Sequence, residues 1–319
     1  MKKILIGIPD YANECPSARK RLLEEGYTLI ENPHPQPFSM DEIMEYILEI
    51  DGVVAGGEVW NEQIYRYAPR LKIISRFGVG YDSVDIVKAK EYGILVTNVR
   101  NGMLANGVAE YAVTLMLSVA KNIVPMDRET RCGNWTRITG GQLYGKTIGI
   151  VGFGAIGRQV AKMLAGFNVK ILAYDEYPDA AAAKELNVEF ASKDRILELS
   201  DVITLHIPGS SGNYHFIGEQ ELKKMKSSAY LINTARGSVV DIDALYEGLA
   251  SKEIAGAGID VYETEPPGKG LHLYGMDNVI VVPHAASENR ESKEAVGLDS
   301  AQAVIDVLKG KTPKNVLNP

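Results

Sequence analysis

The sequence has few cysteines, no excess of basic residues and no apolar run that approaches the roughly 18 residues needed to cross a bilayer. Cys15 and Cys132 stand far apart and outside any Cys-x-x-Cys spacing, which supports neither a disulfide framework nor a zinc site. The first apolar run, Ile4–Ile8, is too short for a signal peptide and predicts a strand. We therefore expect no metal, no membrane contact and a reducing, cytoplasmic location.

Acidic side chains outnumber basic ones. With 41 acidic and 34 basic residues the formal net charge is −7, which argues against binding of nucleic acid through a basic face. The 319 residues, 45 % hydrophobic and 24 % charged, have the length of two domains and the composition of a globular protein. Small anionic ligands are compatible with this charge, because helix N-termini and single arginines can bind them locally.

Short apolar runs alternate with amphipathic segments over nearly the whole chain, a pattern typical of parallel sheets built from βα units. One series covers the first hundred residues and a second runs from Thr147 to Val282. Between them, Asn101–Lys121 predicts one long helix, and Asp127–Gly145 is polar and interrupted by glycines. The pattern predicts an α/β protein with two doubly wound parallel sheets and domain boundaries near residues 100 and 285.

A glycine-rich turn opens the second series. Lys146–Val151 predicts a strand, Arg158–Ala165 predicts a helix, and Gly152-Phe153-Gly154-Ala155-Ile156-Gly157 lies between them. In such a turn, Gly152 permits the sharp bend, Gly154 lets a pyrophosphate approach the backbone, and Gly157 allows the helix to pack closely on the strand. This arrangement is the typical beginning of a dinucleotide-binding domain.

The following predicted strand ends in Asp175, 18 residues after Gly157. A carboxylate at this place accepts hydrogen bonds from the ribose hydroxyls of NAD and repels the additional phosphate of NADP. The strand, the glycines, the helix, the second strand and the acid together predict NAD as the cofactor.

Polar side chains that suit a 2-hydroxy or 2-keto acid follow other predicted strands. His206 and His284, two of the five histidines, end apolar runs, and Arg236 follows a third run. Arginine binds a carboxylate with two hydrogen bonds, histidine exchanges a proton near neutral pH, and a nearby carboxylate raises the pKa of that histidine. Spacing alone does not choose between the two histidines, or between Glu263 and Glu265 as the carboxylate.

With these residues in view, nearly the whole chain resembles the D-isomer-specific 2-hydroxyacid dehydrogenases, and within them the short 3-phosphoglycerate dehydrogenase-like members. The matching segments are spread along the sequence: Gly78–Asp82, Val108–Glu110, Leu143–Gly154, Leu205–Pro208, Met225–Lys226, Ile232–Gly237, Asp260–Tyr262, Glu265–Pro266 and Pro283–Ser287. The resemblance implies a Rossmann NAD-binding domain of residues 101–285, inserted into a flavodoxin-like substrate domain of residues 1–100 and 286–319. It also implies an active site in the cleft between the domains.

The resemblance further implies a homodimer joined through Asn101–Gly145. Trp135, which lies in this segment, is expected to pack either on the partner or inside its own subunit.

The resemblance assigns the roles that spacing leaves open. It implies that Arg236 binds the carboxylate and carbonyl oxygen of the substrate, that His284 transfers the proton, and that Glu265 keeps His284 protonated during reduction. The backbone N–H groups of Val79 and Gly80 would complete the carboxylate site, and His206 would lie beside the cofactor. The cofactor contacts that it implies are Gly152, Gly154, Ala155, Ile156, Gly157, Asp175, His206, Ile207, Pro208, Thr234, Ala235 and Asp260.

We therefore expect an NAD-dependent enzyme that interconverts a small D-2-hydroxy acid and its 2-keto acid. Oxidation of 3-phosphoglycerate and reduction of glyoxylate or hydroxypyruvate are competing possibilities. Gly56-Gly57 stand where phosphoglycerate-specific relatives have an arginine, which leaves Arg76 and Arg137 as candidate phosphate ligands. An alternative of another class is an NAD(H)-sensing binding protein of the corepressor type on the same fold.

Overall fold

The computed structural model describes residues 1–319 and divides them into two compact units. The first unit consists of Met1–Leu104 and Glu288–Pro319, and the second of Ala105–Ser287. The chain thus leaves the first unit once and returns to it near its end. Each unit contains one β-sheet in which all strand pairs are parallel. The α/β class with two parallel sheets is confirmed.

Five strands form the first sheet and seven form the second. The strands are β1 (Lys3–Ile6), β2 (Thr28–Glu31), β3 (Gly52–Ala55), β4 (Ile73–Arg76), β5 (Leu95–Thr97), β6 (Thr147–Val151), β7 (Lys170–Tyr174), β8 (Val188–Phe190), β9 (Val202–Leu205), β10 (Tyr230–Asn233), β11 (Gly256–Ile259) and β12 (Val279–Val281). Their orders are β2-β1-β3-β4-β5 and β12-β11-β10-β9-β6-β7-β8. The order reverses between β1 and β3 and between β6 and β9, and in such sheets ligands bind at the carboxyl ends of the strands near the reversal.

Thirteen α-helices connect or follow these strands. They are α1 (Tyr11–Glu14), α2 (Pro16–Glu24), α3 (Met40–Tyr46), α4 (Glu62–Tyr65), α5 (Ile86–Glu91), α6 (Gly102–Ala120), α7 (Ile123–Arg131), α8 (Ala155–Leu164), α9 (Ala180–Glu185), α10 (Lys193–Leu199), α11 (Glu219–Lys224), α12 (Ile242–Ala250) and α13 (Arg290–Leu308). Short 3-10 helices occur at Ala165–Phe167, Ser211–Asn213, Gly237–Val239 and His272–Gly275.

Three strands in the interior of the two sheets are buried along their whole length. Every residue of β3 in the first unit, and of β9 and β11 in the second, is buried. A parallel strand covered on both faces needs apolar residues at every position, whereas a half-exposed strand alternates apolar and polar residues. This is why the sequence shows these strands as continuous apolar runs, and why the polar residues that follow them mark the ends of the strands.

Helix α6 is the longest apolar segment of the chain. Its length and composition would allow it to cross a membrane, so the expectation that no apolar run approaches that length was wrong. In its most apolar window, however, 61 % of the helix is buried inside the protein. Ala109, Ala112 and Met116, spaced three and four residues apart, lie on one face and pack in the core of the second unit. We conclude that α6 is a core helix.

Helix α7 includes the first five residues of the polar stretch Asp127–Gly145, for which the sequence analysis predicted no helix. Pro125 lies in the first turn, where a missing N–H costs nothing. In the last turn, Nε of Arg131 lies 2.7 Å from Oδ2 of Asp127, an ion pair between residues four positions apart on one helix face.

Candidate active site

The glycine-rich turn joins β6 to α8 at the carboxyl end of the second sheet. Gly152 has a φ of 93°, and a Cβ on it would lie only 2.5 Å from the carbonyl oxygen of His206. A Cβ on Gly157 would overlap the carbonyl oxygen of Gly152. Neither position accepts a side chain, because neighbouring backbone is too close. A Cβ on Gly154, in contrast, would meet nothing within 4 Å, so the turn has open space at this position.

Helix α8 begins at Ala155, within this glycine-rich segment, and has no side-chain cap. Its first N–H groups, which include those of Ala155 and Ile156, therefore suit an anion such as a pyrophosphate. Asp175, the residue after β7, accepts a hydrogen bond from the Phe153 N–H at 2.6 Å, which holds its carboxylate against the same turn. The open turn, the uncapped helix and the carboxylate together fit the pyrophosphate and ribose of NAD.

His206 follows β9, and its backbone N–H donates to the carbonyl of Val151 at the end of β6. Its Nε2 lies 2.9 Å from Oγ1 of Thr204, while the buried Nδ1 has no hydrogen-bond partner. Burial lowers the pKa of this imidazole to about 3, so the ring is neutral at physiological pH. A ring that stays neutral is a poor general acid, which favours His284 for proton transfer.

His284 and Glu265 form a hydrogen-bonded pair in the loops after β12 and β11. Nδ1 of His284 lies 2.6 Å from Oε2 of Glu265, and Oε1 of Glu265 accepts a hydrogen bond from the Tyr262 N–H at 3.0 Å. The bond to Glu265 raises the pKa of His284, although partial burial opposes this. Burial acts to raise the pKa of Glu265, but the hydrogen bonds from His284 and Tyr262 outweigh it and lower that pKa. Both shifts favour the charged pair.

Asp260, the residue after β11, holds the turn that carries His284. Its Oδ1 accepts a hydrogen bond from the Ala285 N–H at 2.6 Å, and its Oδ2 accepts one from the Ala286 N–H at 3.2 Å. The His284 N–H donates to the Asp260 carbonyl at 2.8 Å. This positioning role was not predicted from the sequence. The available signal was an acid at the end of a fully buried strand, where a charged group needs hydrogen-bond donors.

Arg236 lies in the turn after β10. The side chain of Asn233 closes this turn, because its Nδ2 donates to the Arg236 carbonyl and its Oδ1 accepts from the Ala235 N–H, both at 3.0 Å. Nη1 of Arg236 donates to the Ala235 carbonyl at 2.7 Å. The positive charge of Arg236 is among the influences that act on the pKa of Glu265 and of His284, so the three groups lie within electrostatic range of one another.

Three other predicted residues, Glu263, Val79 and Gly80, have different recorded surroundings. Nε2 of His215 lies 2.7 Å from Oε1 of Glu263, so the carboxylate that spacing left as an alternative faces a different histidine. Val79 and Gly80 belong to the first unit, where the Val79 carbonyl accepts a hydrogen bond from Nδ2 of Asn98 at 2.7 Å. Their contact with a substrate carboxylate stays a prediction.

Comparison with known proteins gives consistent matches. The family model described as D-isomer specific 2-hydroxyacid dehydrogenase, NAD binding domain, matches residues 113–286. The glyoxylate reductase of Korarchaeum cryptofilum is 37 % identical over 312 residues, which cover 96 % of this chain and 94 % of the relative. The D-3-phosphoglycerate dehydrogenase of Archaeoglobus fulgidus is 36 % identical over 283 residues, which cover 88 % of this chain and 54 % of the relative.

A solved structure agrees with these matches. The D-lactate dehydrogenase of Lactobacillus jensenii with NAD+ has a TM-score of 0.80 and 28 % identity, and the alignment covers 99 % of this chain and 100 % of that one. All three proteins are named as enzymes, so these comparisons give no support to the corepressor alternative.

Proposed function

This chain belongs to the D-isomer-specific 2-hydroxyacid dehydrogenases and is an NAD-dependent oxidoreductase of small 2-hydroxy and 2-keto acids, and we propose that it acts as a reductase of glyoxylate or hydroxypyruvate. The observation that carries the proposed chemistry is the 2.6 Å contact between His284 and Glu265, within electrostatic range of Arg236. Reduction of a keto acid requires three groups: an acid that donates a proton, a carboxylate that keeps this acid charged, and a guanidinium that binds the substrate.

The choice of substrate rests on two observations. The relative from Korarchaeum cryptofilum is named a glyoxylate reductase and aligns over nearly the full length of both chains. Gly56 and Gly57 offer no side chain to a phosphate at the end of β3. Both observations favour a small unphosphorylated keto acid over 3-phosphoglycerate.

The residues that would hold NAD are those of the glycine-rich turn and the strand ends beside it. The N–H groups at the start of α8 would bind the pyrophosphate, and Asp175 would accept hydrogen bonds from the ribose. His206, whose buried Nδ1 lacks a partner, is available for a further polar contact with the cofactor. When bound in its reduced form, the cofactor supplies the hydride.

His284 carries the proton in this proposal. Because its Nδ1 is bonded to Glu265, its Nε2 is the nitrogen that donates to the carbonyl oxygen of the keto acid. The negative charge of Glu265 keeps the ring protonated before the transfer. After the transfer, the Glu265 carboxylate accepts a hydrogen bond from Nδ1 of the neutral ring. In the direction of oxidation, the neutral ring takes the proton from the hydroxyl group.

Arg236 binds the substrate carboxylate and polarises the carbonyl oxygen. Guanidinium N–H groups form paired hydrogen bonds with a carboxylate. These bonds bind the negative charge and also fix the position of the reacting carbon next to it. Asn233 acts on Arg236 indirectly, because it holds the turn from which the arginine extends. We assign the second half of the carboxylate site to the N–H groups of Val79 and Gly80, and so give the first unit the role of the substrate domain and the second that of the NAD domain.

We further propose a cytoplasmic homodimer joined through residues 101–145. Trp135 is 83 % exposed, which excludes the alternative that it is buried in its own subunit, and Ile123 and Val124 of α7 are also about half exposed. Exposed apolar side chains concentrated in one segment are typical of a surface that another protein covers. Light scattering on the purified protein tests this, and a monomer at micromolar concentration would refute it.

The experiment that tests the proposed function is a screen of NADH oxidation across glyoxylate, hydroxypyruvate, pyruvate, longer 2-keto acids and phosphohydroxypyruvate. We expect glyoxylate or hydroxypyruvate to give the highest kcat/KM. A clear preference for phosphohydroxypyruvate or for a long 2-keto acid would contradict the proposed substrate, and no turnover of any compound would contradict the proposed reaction.

A further inference from the structure

His215 is a half-buried histidine of the second unit that the chemistry above does not use. It follows the 3-10 helix Ser211–Asn213 in the loop after β9. Its Nε2 lies 2.7 Å from Oε1 of Glu263, and its Nδ1 lies 3.5 Å from Oδ2 of Asp241. The ring also stacks on that of Tyr214, with 3.9 Å between the ring centroids. Both nitrogens of His215 therefore face carboxylate oxygens from other segments of the chain.

The two carboxylates belong to different kinds of structure. Oδ1 of Asp241 accepts hydrogen bonds from the N–H groups of Asp243 at 3.1 Å and Ala244 at 3.0 Å, so Asp241 caps α12 and is fixed at its start. Glu263, in contrast, lies in the irregular loop that follows β11. His215 therefore connects this loop to the start of a helix.

The backbone of His215 joins the turn that carries Arg236. Its N–H donates to the carbonyl of Ser238, two residues after Arg236, at 2.8 Å. Nearer the start of the same loop, a Cβ on Gly209 would lie only 3.0 Å from Cγ of Arg236. The loop after β9 thus contacts the stem of the arginine side chain as well as the backbone that follows it.

The turn of Arg236 also packs directly on the loop that carries Glu265. A Cβ on Gly237 would overlap the backbone of Tyr262 and Glu263, so these two segments touch with no side chain between them. The Tyr262 N–H in turn donates to Oε1 of Glu265 at 3.0 Å. A shift of Glu263 would therefore move the backbone that holds the Glu265 carboxylate.

We infer that His215 is a positioning residue for the proposed reaction, because it holds the loop of Glu265 against the turn of Arg236. The groups of the site come from separate segments of the chain, and a displacement of about 1 Å between reacting groups can lower a rate by about 100-fold. His215 binds one of these segments by its backbone and another by its side chain. This role rests on the proposed function, which takes Arg236 as the carboxylate ligand and Glu265 as the partner of the acid.

Two substitutions of His215 separate its hydrogen bond from its shape. His215→Phe keeps a ring that can stack on Tyr214 but has no nitrogen, so the contact with Glu263 is lost. His215→Gln has an amide nitrogen that can donate to Glu263 in place of Nε2. We expect His215→Phe to lower kcat/KM for hydroxypyruvate by about tenfold and His215→Gln to recover most of this loss. His272→Gln, at an exposed position of the same unit, is the matched control and should have wild-type kinetics.

The pH profile of reduction distinguishes a positioning role from a merely stabilising one. The charged groups that act on the pKa of His284 are Glu265, Asp260 and Arg236, and the hydrogen bond to Glu265 is the main cause that raises it. In His215→Phe, Glu265 should contact His284 less, so the decline of kcat/KM with rising pH should move to lower pH. A His215 that only stabilises the fold would change the melting temperature and leave this profile in place.

Variants of Glu263 test the same bond from its other side. Glu263→Ala should reproduce the lower kcat/KM and the moved profile, whereas Glu263→Gln keeps an oxygen that accepts from Nε2 of His215 and should retain most of the activity. Because His215→Phe and Glu263→Ala remove the same bond, the double variant should have no larger effect than His215→Phe alone. Additive effects would contradict the inference.

A folded His215→Phe protein with wild-type KM and pH profile overturns the inference, while the proposed function stands. If His215→Phe does not fold, as judged by thermal melting, Glu263→Ala decides, and an unmoved pH profile in that variant also overturns the inference. A wild type that reduces no 2-keto acid with NADH refutes the proposed function, and the assigned role of His215 with it.

Discussion

The Nδ1 atom of His284 lies 2.6 Å from Oε2 of Glu265, and this contact decides which nitrogen of the ring is available for chemistry. With Nδ1 bonded to the carboxylate, Nε2 is the nitrogen that would exchange a proton with the substrate oxygen in the proposed reaction. The turn that carries His284 has a φ of 52° at that residue, and it is held by hydrogen bonds from the N–H groups of Ala285 and His284 to the carboxylate and the carbonyl of Asp260, so the fold fixes the backbone that carries the ring. The contact with Glu265 therefore both orients the His284 ring and raises its pKa, as the proposed role of His284 as the acid requires.

Replacement of Glu265 by Gln should move the pH dependence of turnover to lower pH. The hydrogen bond to Glu265 is the main cause that raises the pKa of His284. Reduction needs the protonated ring and declines as the pH rises through this pKa, so loss of the carboxylate brings the decline to lower pH. Oxidation needs the neutral ring, so the rise of its rate with increasing pH also moves to lower pH. Profiles of kcat/KM against pH in both directions measure the shift.

Glu263→Gln is the matched control for that experiment, because Glu263 is two residues away and contacts His215 instead. We expect its pH profile to follow that of the wild type. A Glu265→Gln profile that does not move, or an equal movement in both variants, would count against the pairing of Glu265 with His284.

The parts of the site that could be predicted from sequence are those that depend on local pattern. Buried parallel strands have continuous apolar sequences, so the polar residues that follow them, His206, Arg236 and His284, could be assigned to strand ends from the sequence alone. The glycine-rich turn is similar, because close packing of backbone forbids a side chain at Gly152 in any sequence that folds this way.

The remainder depends on contacts between segments distant in the chain. Glu263 and Glu265 are two residues apart, and which of them faces His284 depends on the path of the loop after β11. The role of Asp260 depends on the backbone of residues 285 and 286, about 25 positions later. Helix α7 was not predicted because glycines dominate the composition of the segment that follows it. The acidic and basic residues Asp127 and Arg131, four positions apart, were nevertheless a sequence signal for a helix.

Replacement of Arg236 by Lys should reduce kcat/KM for hydroxypyruvate by about tenfold or more. Lysine keeps the positive charge but cannot make two parallel hydrogen bonds to a carboxylate, so it loses orientation of the substrate as well as binding. Steady-state kinetics with saturating NADH measure the effect. Arg195→Lys, at an exposed position of α10, is the control and should have wild-type kinetics. Unchanged kinetics of Arg236→Lys would reject the role of Arg236 as the carboxylate ligand.

Replacement of Asp175 should change the choice between NADH and NADPH. Asp175→Asn keeps an oxygen that can accept from the Phe153 N–H, so it tests the charge while it preserves the turn. We expect weaker binding of NADH, and a ratio of KM values that moves toward NADPH by about tenfold, because the phosphate of NADPH is no longer repelled. Asp175→Ala, which also loses the bond to Phe153, should weaken both cofactors. An unchanged ratio in Asp175→Asn would remove Asp175 from the ribose site.

Replacement of Asp260 by Asn should affect stability and proton transfer together. Both oxygens of the buried carboxylate accept hydrogen bonds from backbone N–H groups. In the Asn variant an NH2 group replaces one oxygen and faces an N–H donor, which should lower the free energy of unfolding by about 1–3 kcal/mol. The negative charge of Asp260 also contributes to the raised pKa of His284, so its removal should move the decline of reduction to lower pH. Urea denaturation and the pH profile measure the two effects separately. Asp243→Asn, exposed on α12, should change neither, and a stable Asp260→Asn protein with a wild-type profile would show that the turn holds His284 without this carboxylate.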